Sequence, residues 1–195
     1  MKSHQKVRFL DKTTPPHIFT LVMLSGIGAL SMNMFLPSLP QMTIDLKTEY
    51  RVMQLSVSLY LACTAVTQFF VGPISDRYGR RKSALIGISI FILASIGCFF
   101  AQTIETFLIF RMIQSTVAIG IVLSRAIIRD TVNQDKSASM IGYVTMGMAL
   151  VPMFAPALGG FVDTFLGWRT NFILMATFGS LFWVLLYFDQ GETNT

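Results

Sequence analysis

Gly72-Pro73-Ile74-Ser75-Asp76-Arg77-Tyr78-Gly79-Arg80-Arg81-Lys82 is the stretch on which the fold turns. It packs one acid and four bases into a short polar junction between two uncharged runs. Upstream no Lys, Arg, Asp or Glu occurs between Arg51 and Asp76, and downstream none occurs between Lys82 and Glu105. Each run exceeds the roughly 20 residues that a helix needs to cross a bilayer. The junction therefore reads as a tight, basic turn at a membrane surface.

The same pattern extends along the chain. Lys12 to Asp45, Lys136 to Asp163 and Arg169 to Asp189 are also free of charge. Thr106 to Ile128 is apolar but interrupted by Arg111 and Arg125. Composition agrees, with 53% hydrophobic residues and 13% charged, where soluble domains carry roughly 25% charged residues. Mean hydropathy is +0.60. The chain reads as an all-α integral membrane protein with six transmembrane helices: Ile18–Leu36, Met53–Ile74, Ser83–Ala101, Thr106–Ile128, Ser139–Val162 and Thr170–Phe188. Continuous apolar runs, rather than ten-residue alternation, favour helices over a β-barrel.

Lys2, Lys6, Arg8, Lys12, Arg77, Arg80, Arg81, Lys82, Arg125, Arg129 and Lys136 fall on one side of these spans, against Lys47, Arg51 and Arg169 on the other. The positive-inside rule then predicts that both termini are cytoplasmic. The net charge of +5 reflects this topology, so no nucleic-acid partner is expected. The first apolar run continues past the small residues Ala29 and Ser31, which favours an uncleaved signal-anchor over a signal peptide. Cys63 and Cys98 lie mid-span and His4 and His17 lack ligand spacing, so neither disulfide, metal nor cofactor is expected. No His-Glu-x-x-His, Gly-x-Ser-x-Gly or phosphate-binding Gly-x-x-x-x-Gly-Lys occurs, and no catalytic residue is assigned.

A glycine four residues before Asp-Arg-x-Gly-Arg-Arg-Lys resembles the cytoplasmic signature of the major facilitator superfamily. Ser31 to Pro40 resembles the end of helix 1 in its bicyclomycin- and chloramphenicol-resistance branch (Bcr/CflA-type drug exporters), and Ile127-Ile128-Arg129-Asp130 is similar to the end of helix 4 there. Phe110-Arg111-Met112-Ile113-Gln114-Ser115 is similar to the superfamily's helix 4 motif. Val151-Pro152, Ala155-Pro156 and Gly159-Gly160 resemble the helix 5 motif of antiporters, and Gly167-Trp168-Arg169 the start of helix 6. Asn33 stands where the branch has an acidic residue, which removes one proton carrier. Ser115 and Ala155 stand where glycine is usual.

The resemblance implies one half of a major facilitator fold, a 3+3 inverted repeat, with residues 1–17 as a cytoplasmic tail, 18–188 as the bundle and 189–195 opening the central loop. It implies multidrug efflux across the bacterial inner membrane by alternating access, as drug:proton antiport once the missing C-terminal six-helix half is supplied. The substrate would be a small apolar or cationic drug. A metabolite carrier without proton coupling, or an inactive truncated half, are the alternatives. Gly72, Asp76, Arg77, Gly79, Arg80, Arg81, Arg129 and Asp130 form the candidate cytoplasmic gate. Gly72 is expected to allow close helix approach, Pro73 to end or kink its helix, and Asp76 to pair with neighbouring arginines.

Positions 111, 114, 118, 122, 125 and 129 share one stripe of a regular helix. Arg111, Gln114 and Arg125 are candidate pathway residues on that basis, and the resemblance adds Asn33 of helix 1. Arg111 either snorkels or faces a cavity. In a cavity it would bind an anionic group or bias a nearby carboxylate, and the resemblance implies the latter. Pro152, Pro156, Gly159 and Gly160 suit either tight packing or a kinked gating helix. The methionines of that helix fit a soft drug surface or lipid-facing filler.

Overall fold

The computed structural model describes residues 9–132 and 134–193. Lys2, Lys6, Arg8, Asn194 and Thr195 lie outside the described residues. The helices are α1 (Ile18–Asn33), α2 (Leu39–Asp45), α3 (Tyr50–Tyr78), α4 (Arg80–Phe100), α5 (Ile104–Gln114), α6 (Ile119–Thr131), α7 (Gln134–Leu166) and α8 (Arg169–Asp189). Short 3-10 turns, Leu36–Ser38 and Ser115–Ala118, join α1 to α2 and α5 to α6. Six segments are long and apolar enough to cross a membrane, namely α1–α2, α3, α4, α5–α6, α7 and α8. The described residues form no strand. The chain is a multi-pass membrane protein, and the six expected spans are all present as helix.

The ends of the spans differ from those expected. The first breaks after Asn33 because Pro37 and Pro40 lack an N–H; each sits in the first turn of the next short helix, where none is needed. Pro73 does not end the second span, since α3 runs through it to Tyr78. The long α7 likewise runs through Pro152 and Pro156. A proline costs one backbone bond, and a helix surrounded by hydrocarbon has no better conformation to adopt.

Packing follows a threefold-plus-threefold scheme. The first span packs on the fifth as the second packs on the fourth. Contacts of the third with the fourth correspond to those of the sixth with the first, and second–third to fifth–sixth. The third–sixth and first–fourth pairs map onto themselves. Exchanging spans one to three with four to six thus reproduces every packed pair, and the odd number per unit inverts the second copy. Even the two 3-10 breaks correspond, one packing on α7 and the other on α3.

Close approach depends on a few small residues. A Cβ at Gly159 would overlap the carbonyl oxygen of Met34, so α7 lies against the backbone of the first span only because that side chain is absent. At Gly72 no heavy atom of the described residues lies within 4 Å of where a Cβ would be, so it makes no close approach within this bundle. Its face of α3 points outward, beside exposed Phe69 and Phe70. Large exposed apolar side chains also cover α4 and α7, including Leu93, Phe161 and Phe165, as a hydrocarbon-facing surface requires.

At the end of the bundle opposite Arg80, Phe107, Trp168 and Phe172 meet edge to face with centroids 5.5–6.0 Å apart. The Trp168 indole donates to Asp45 Oδ2 at 2.7 Å, which ties the start of α8 to the end of α2.

Candidate functional site

Two arginines organise the polar residues of the bundle. Arg111, near the end of α5, is 1% exposed and is the largest fully buried side chain described. Its Cζ lies 4.1 Å from the Phe35 ring centre and 4.3 Å from that of Tyr60. Nη1 donates to the carbonyl oxygen and to Oγ of Ser31, each at 3.4 Å, and to Oε1 of Gln114. The Gln114 amide is fixed from its other end, because Nε2 donates to Ser95 Oγ at 2.7 Å and points at Met175 Sδ at 3.7 Å. Spans one, two, three, four and six therefore all contribute to one polar centre.

The surroundings of Arg111 are neutral. None of the ion pairs among the described residues involves it. Burying a charge costs several kcal/mol. Two desolvated cation–π contacts, each worth about 2 kcal/mol, offset part of this. Nε and Nη2 remain without a hydrogen-bond partner among the described residues.

The second centre lies at the turn between α3 and α4. Gly79 has φ +96, and its positive angle makes the reversal that brings Arg80 back over the end of α3. Arg80 is 9% exposed. Nη1 reaches Asp76 at 2.8 Å and Ser75 Oγ at 2.7 Å, while Nε reaches Asp130 at 3.1 Å. The backbone N–H of Arg80 donates to Glu192 Oε1 at 2.8 Å, a carboxylate at a helix N-terminus. Arg81 donates to the Tyr187 carbonyl oxygen at 2.9 Å, and Arg77 lies over the Tyr78 ring.

The sequence-expected residues thus divide. Arg111 and Gln114 come together in the interior, and Asp76, Arg80 and Asp130 come together at the turn. Arg125 does not join Arg111: it and Arg129 are exposed. The two lie 14 residues apart, about 20 Å along the helix, and a four-residue 3-10 turn lies between them. Winding at about 3.0 rather than 3.6 residues per turn advances the face by roughly 80°, so the stripe of a regular helix is broken. Asn33 is half-buried and its amide donates to the Ala29 carbonyl oxygen at 2.7 Å, one turn back in α1. On α7, Pro152 is exposed, Pro156 and Gly160 are half-buried, and Gly159 is buried.

Several partners were not singled out by sequence. Phe35 and Tyr60 cover Arg111 but look like ordinary apolar span residues, and nothing in a linear pattern selects them. Ser31 and Ser95 carry a weak signal as hydroxyls within spans. Asp189 is fully buried and accepts from Leu10 N–H, His17 N–H and Thr20 Oγ1 at 2.6–2.9 Å. It ties the tail to the end of α8, across most of the sequence. Among the described residues no three His, Cys, Asp or Glu side chains gather as a metal site.

Residues 21–195 match the sequence profile of the Major Facilitator Superfamily. The chain is similar to YdgK of Bacillus subtilis, an uncharacterized MFS-type transporter, with 36% identity over 178 residues that cover 90% of this chain and 44% of the relative. It is also similar to the multidrug resistance protein MdtL of Escherichia coli, with 33% identity over 177 residues and the same coverage, 90% and 44%. MdtL of Escherichia fergusonii matches equally, at 33% identity. The chain spans less than half the length of these curated relatives.

Proposed function

The chain belongs to the major facilitator superfamily, and from that premise we propose that it is the N-terminal six-helix half of a drug exporter of the bacterial inner membrane. Its branch would be the Bcr/CflA-type exporters, and both termini would face the cytoplasm. Rocking of this half against a second one would present a small drug-like molecule first to one side and then to the other, with proton entry driving export. Arg111 would meet the substrate, with Gln114 beside it on the path and Asn33 at the break in the first span. Asp76, Arg80 and Asp130 would form a cytoplasmic latch that closes in one state and opens in the other. Pro152, Pro156, Gly159 and Gly160 would let the fifth span act as a wall of the path.

The observation that carries this reading is the buried Arg111–Gln114 centre. An intramembrane charge that serves only packing is costly, and five spans converge on this one. Relatives named for multidrug resistance add to it. The test is efflux from drug-sensitive bacteria that make the native protein. Export should be seen for at least one drug, should stop when the proton gradient is collapsed, and should be lost in Arg111→Ala at unchanged expression. Undiminished efflux by that variant would remove Arg111 from the path. Efflux indifferent to the proton gradient would favour the uncoupled metabolite carrier, a reading to which the carboxamide of Asn33 lends weight.

A further inference from the structure

The guanidinium of Arg111 has two edges in use differently. Nη1 is engaged by Ser31 and Gln114. Nε and Nη2, which lie side by side on another edge of the planar group, have no partner among the described residues although the side chain is 1% exposed. The Phe35 and Tyr60 rings lie close by, with Cζ 4.1 and 4.3 Å from their centres. What is left is a flat fork of two parallel N–H donors, and its geometric complement is a carboxylate or another planar oxyanion. We propose that Arg111 is the recognition site for an oxyanion carried by the transported molecule, so that the substrate is an apolar body bearing a carboxylate rather than a cation.

This rests on Arg111 lying on the transport path. Charge argues for it independently of the fork. Outside their end turns the spans contain no Asp or Glu, and the atoms around Arg111 are hydroxyls, an amide oxygen, sulfur and aromatic carbon. A cationic substrate arriving here would meet an uncompensated positive charge in a low dielectric, whereas an anion would neutralise it. Gln114 is a positioning residue. Its amide is held by Ser95, so its oxygen is turned to Nη1 and the Nε–Nη2 edge is kept for the ligand. Phe35, which lies against Arg111, sits in the non-α break between α1 and α2.

The experiment uses the native protein purified in lipid nanodiscs and three probes of one shape: 2-naphthoate, its neutral amide and the cationic 2-naphthylmethylammonium. Equilibrium binding of each is measured, and transport of each is followed in membrane vesicles. Naphthoate should bind about 10-fold or more tighter than the amide, as expected when charge-assisted bonds replace neutral ones, and the cation should bind weakest. Arg111→Lys keeps the charge but loses the fork and should reduce the preference about 10-fold. Gln114→Glu keeps Arg111, supplies a carboxylate of its own to Nη1, and should abolish the preference.

Three results would overturn the proposal: equal binding of all three probes by the native protein, no binding of any, or a naphthoate preference that survives both substitutions. Equal binding is also the outcome if the oxyanion is a carboxylate of the rest of the polypeptide. Failure of the export reading looks different. Naphthoate would then bind with the stated dependence on Arg111 while no probe moved across the vesicle membrane.

Discussion

Two arginines, almost equally buried, are stabilised in opposite ways. Arg80 lies at the turn between α3 and α4 with carboxylates on two sides, Asp76 at 2.8 Å and Asp130 at 3.1 Å, and a serine hydroxyl besides. Arg111 lies inside the bundle against two aromatic rings, a serine and a glutamine, and two of its donors have no partner among the described residues. The first arrangement neutralises the charge locally. The second leaves a charge that the described residues do not neutralise, which is a cost to stability and, on the reading proposed above, the place for a ligand. Proteins hold such groups where function needs them.

The contrast can be attacked from the packing side first. Gly159→Ala would drive a methyl into the Met34 carbonyl, next to Phe35, which covers Arg111. A backbone oxygen cannot step aside as a flexible side chain can. The variant should lose about 3 kcal/mol, the upper part of the range for overpacking, read as a lowered midpoint of unfolding in detergent. Gly72→Ala, near the other arginine, meets open space and should be neutral or stabilising by up to about 1 kcal/mol. If both substitutions had the same effect, the assignment of the close approach to α7 would be wrong.

Next come the carboxylates of Arg80. Asp130 is 29% exposed at its side chain and joins α6 to α4, so Asp130→Asn should cost about 1–2 kcal/mol. Asp76 is 60% exposed and pairs within one turn of its own arginine, so Asp76→Asn should cost no more than about 0.5 kcal/mol in the same assay. Added salt should narrow the gap between these variants and the native protein, because the cluster lies at the bundle end where ions screen it. No such salt effect is expected at Arg111.

The helices and their number were legible because a bilayer imposes one demand, about 20 apolar residues per crossing, that composition alone reveals. Asp76, Gly79 and Arg80 were legible because a reversal and its ion pair are local. Arg111 with Gln114 was legible as a pair three residues apart on one helix. Arg125 does not meet Arg111 because a shared stripe fixes direction but not distance, and 14 residues put the two about 20 Å apart along the helix. Gly72 shows a related limit: sequence marks a small residue but not the side of the helix that meets a neighbour within the bundle. Phe35, Tyr60 and Asp189 gained their roles from contacts between distant segments, which no local pattern encodes.

The central claim is that Arg111 is kept for a ligand and Arg80 for the carboxylate cluster that holds the cytoplasmic latch closed. Its most direct test is to purify the native protein with Arg111→Gln and with Arg80→Gln, and to measure thermal unfolding and transport on the same preparations. Arg111→Gln should leave the midpoint unchanged or raised, since a cation without a carboxylate is removed, and should abolish transport. Arg80→Gln should lower the midpoint by several degrees, because Asp76 and Asp130 lose their common partner. An Arg111→Gln protein that is destabilised as much as Arg80→Gln, yet still transports in its folded fraction, would contradict the claim.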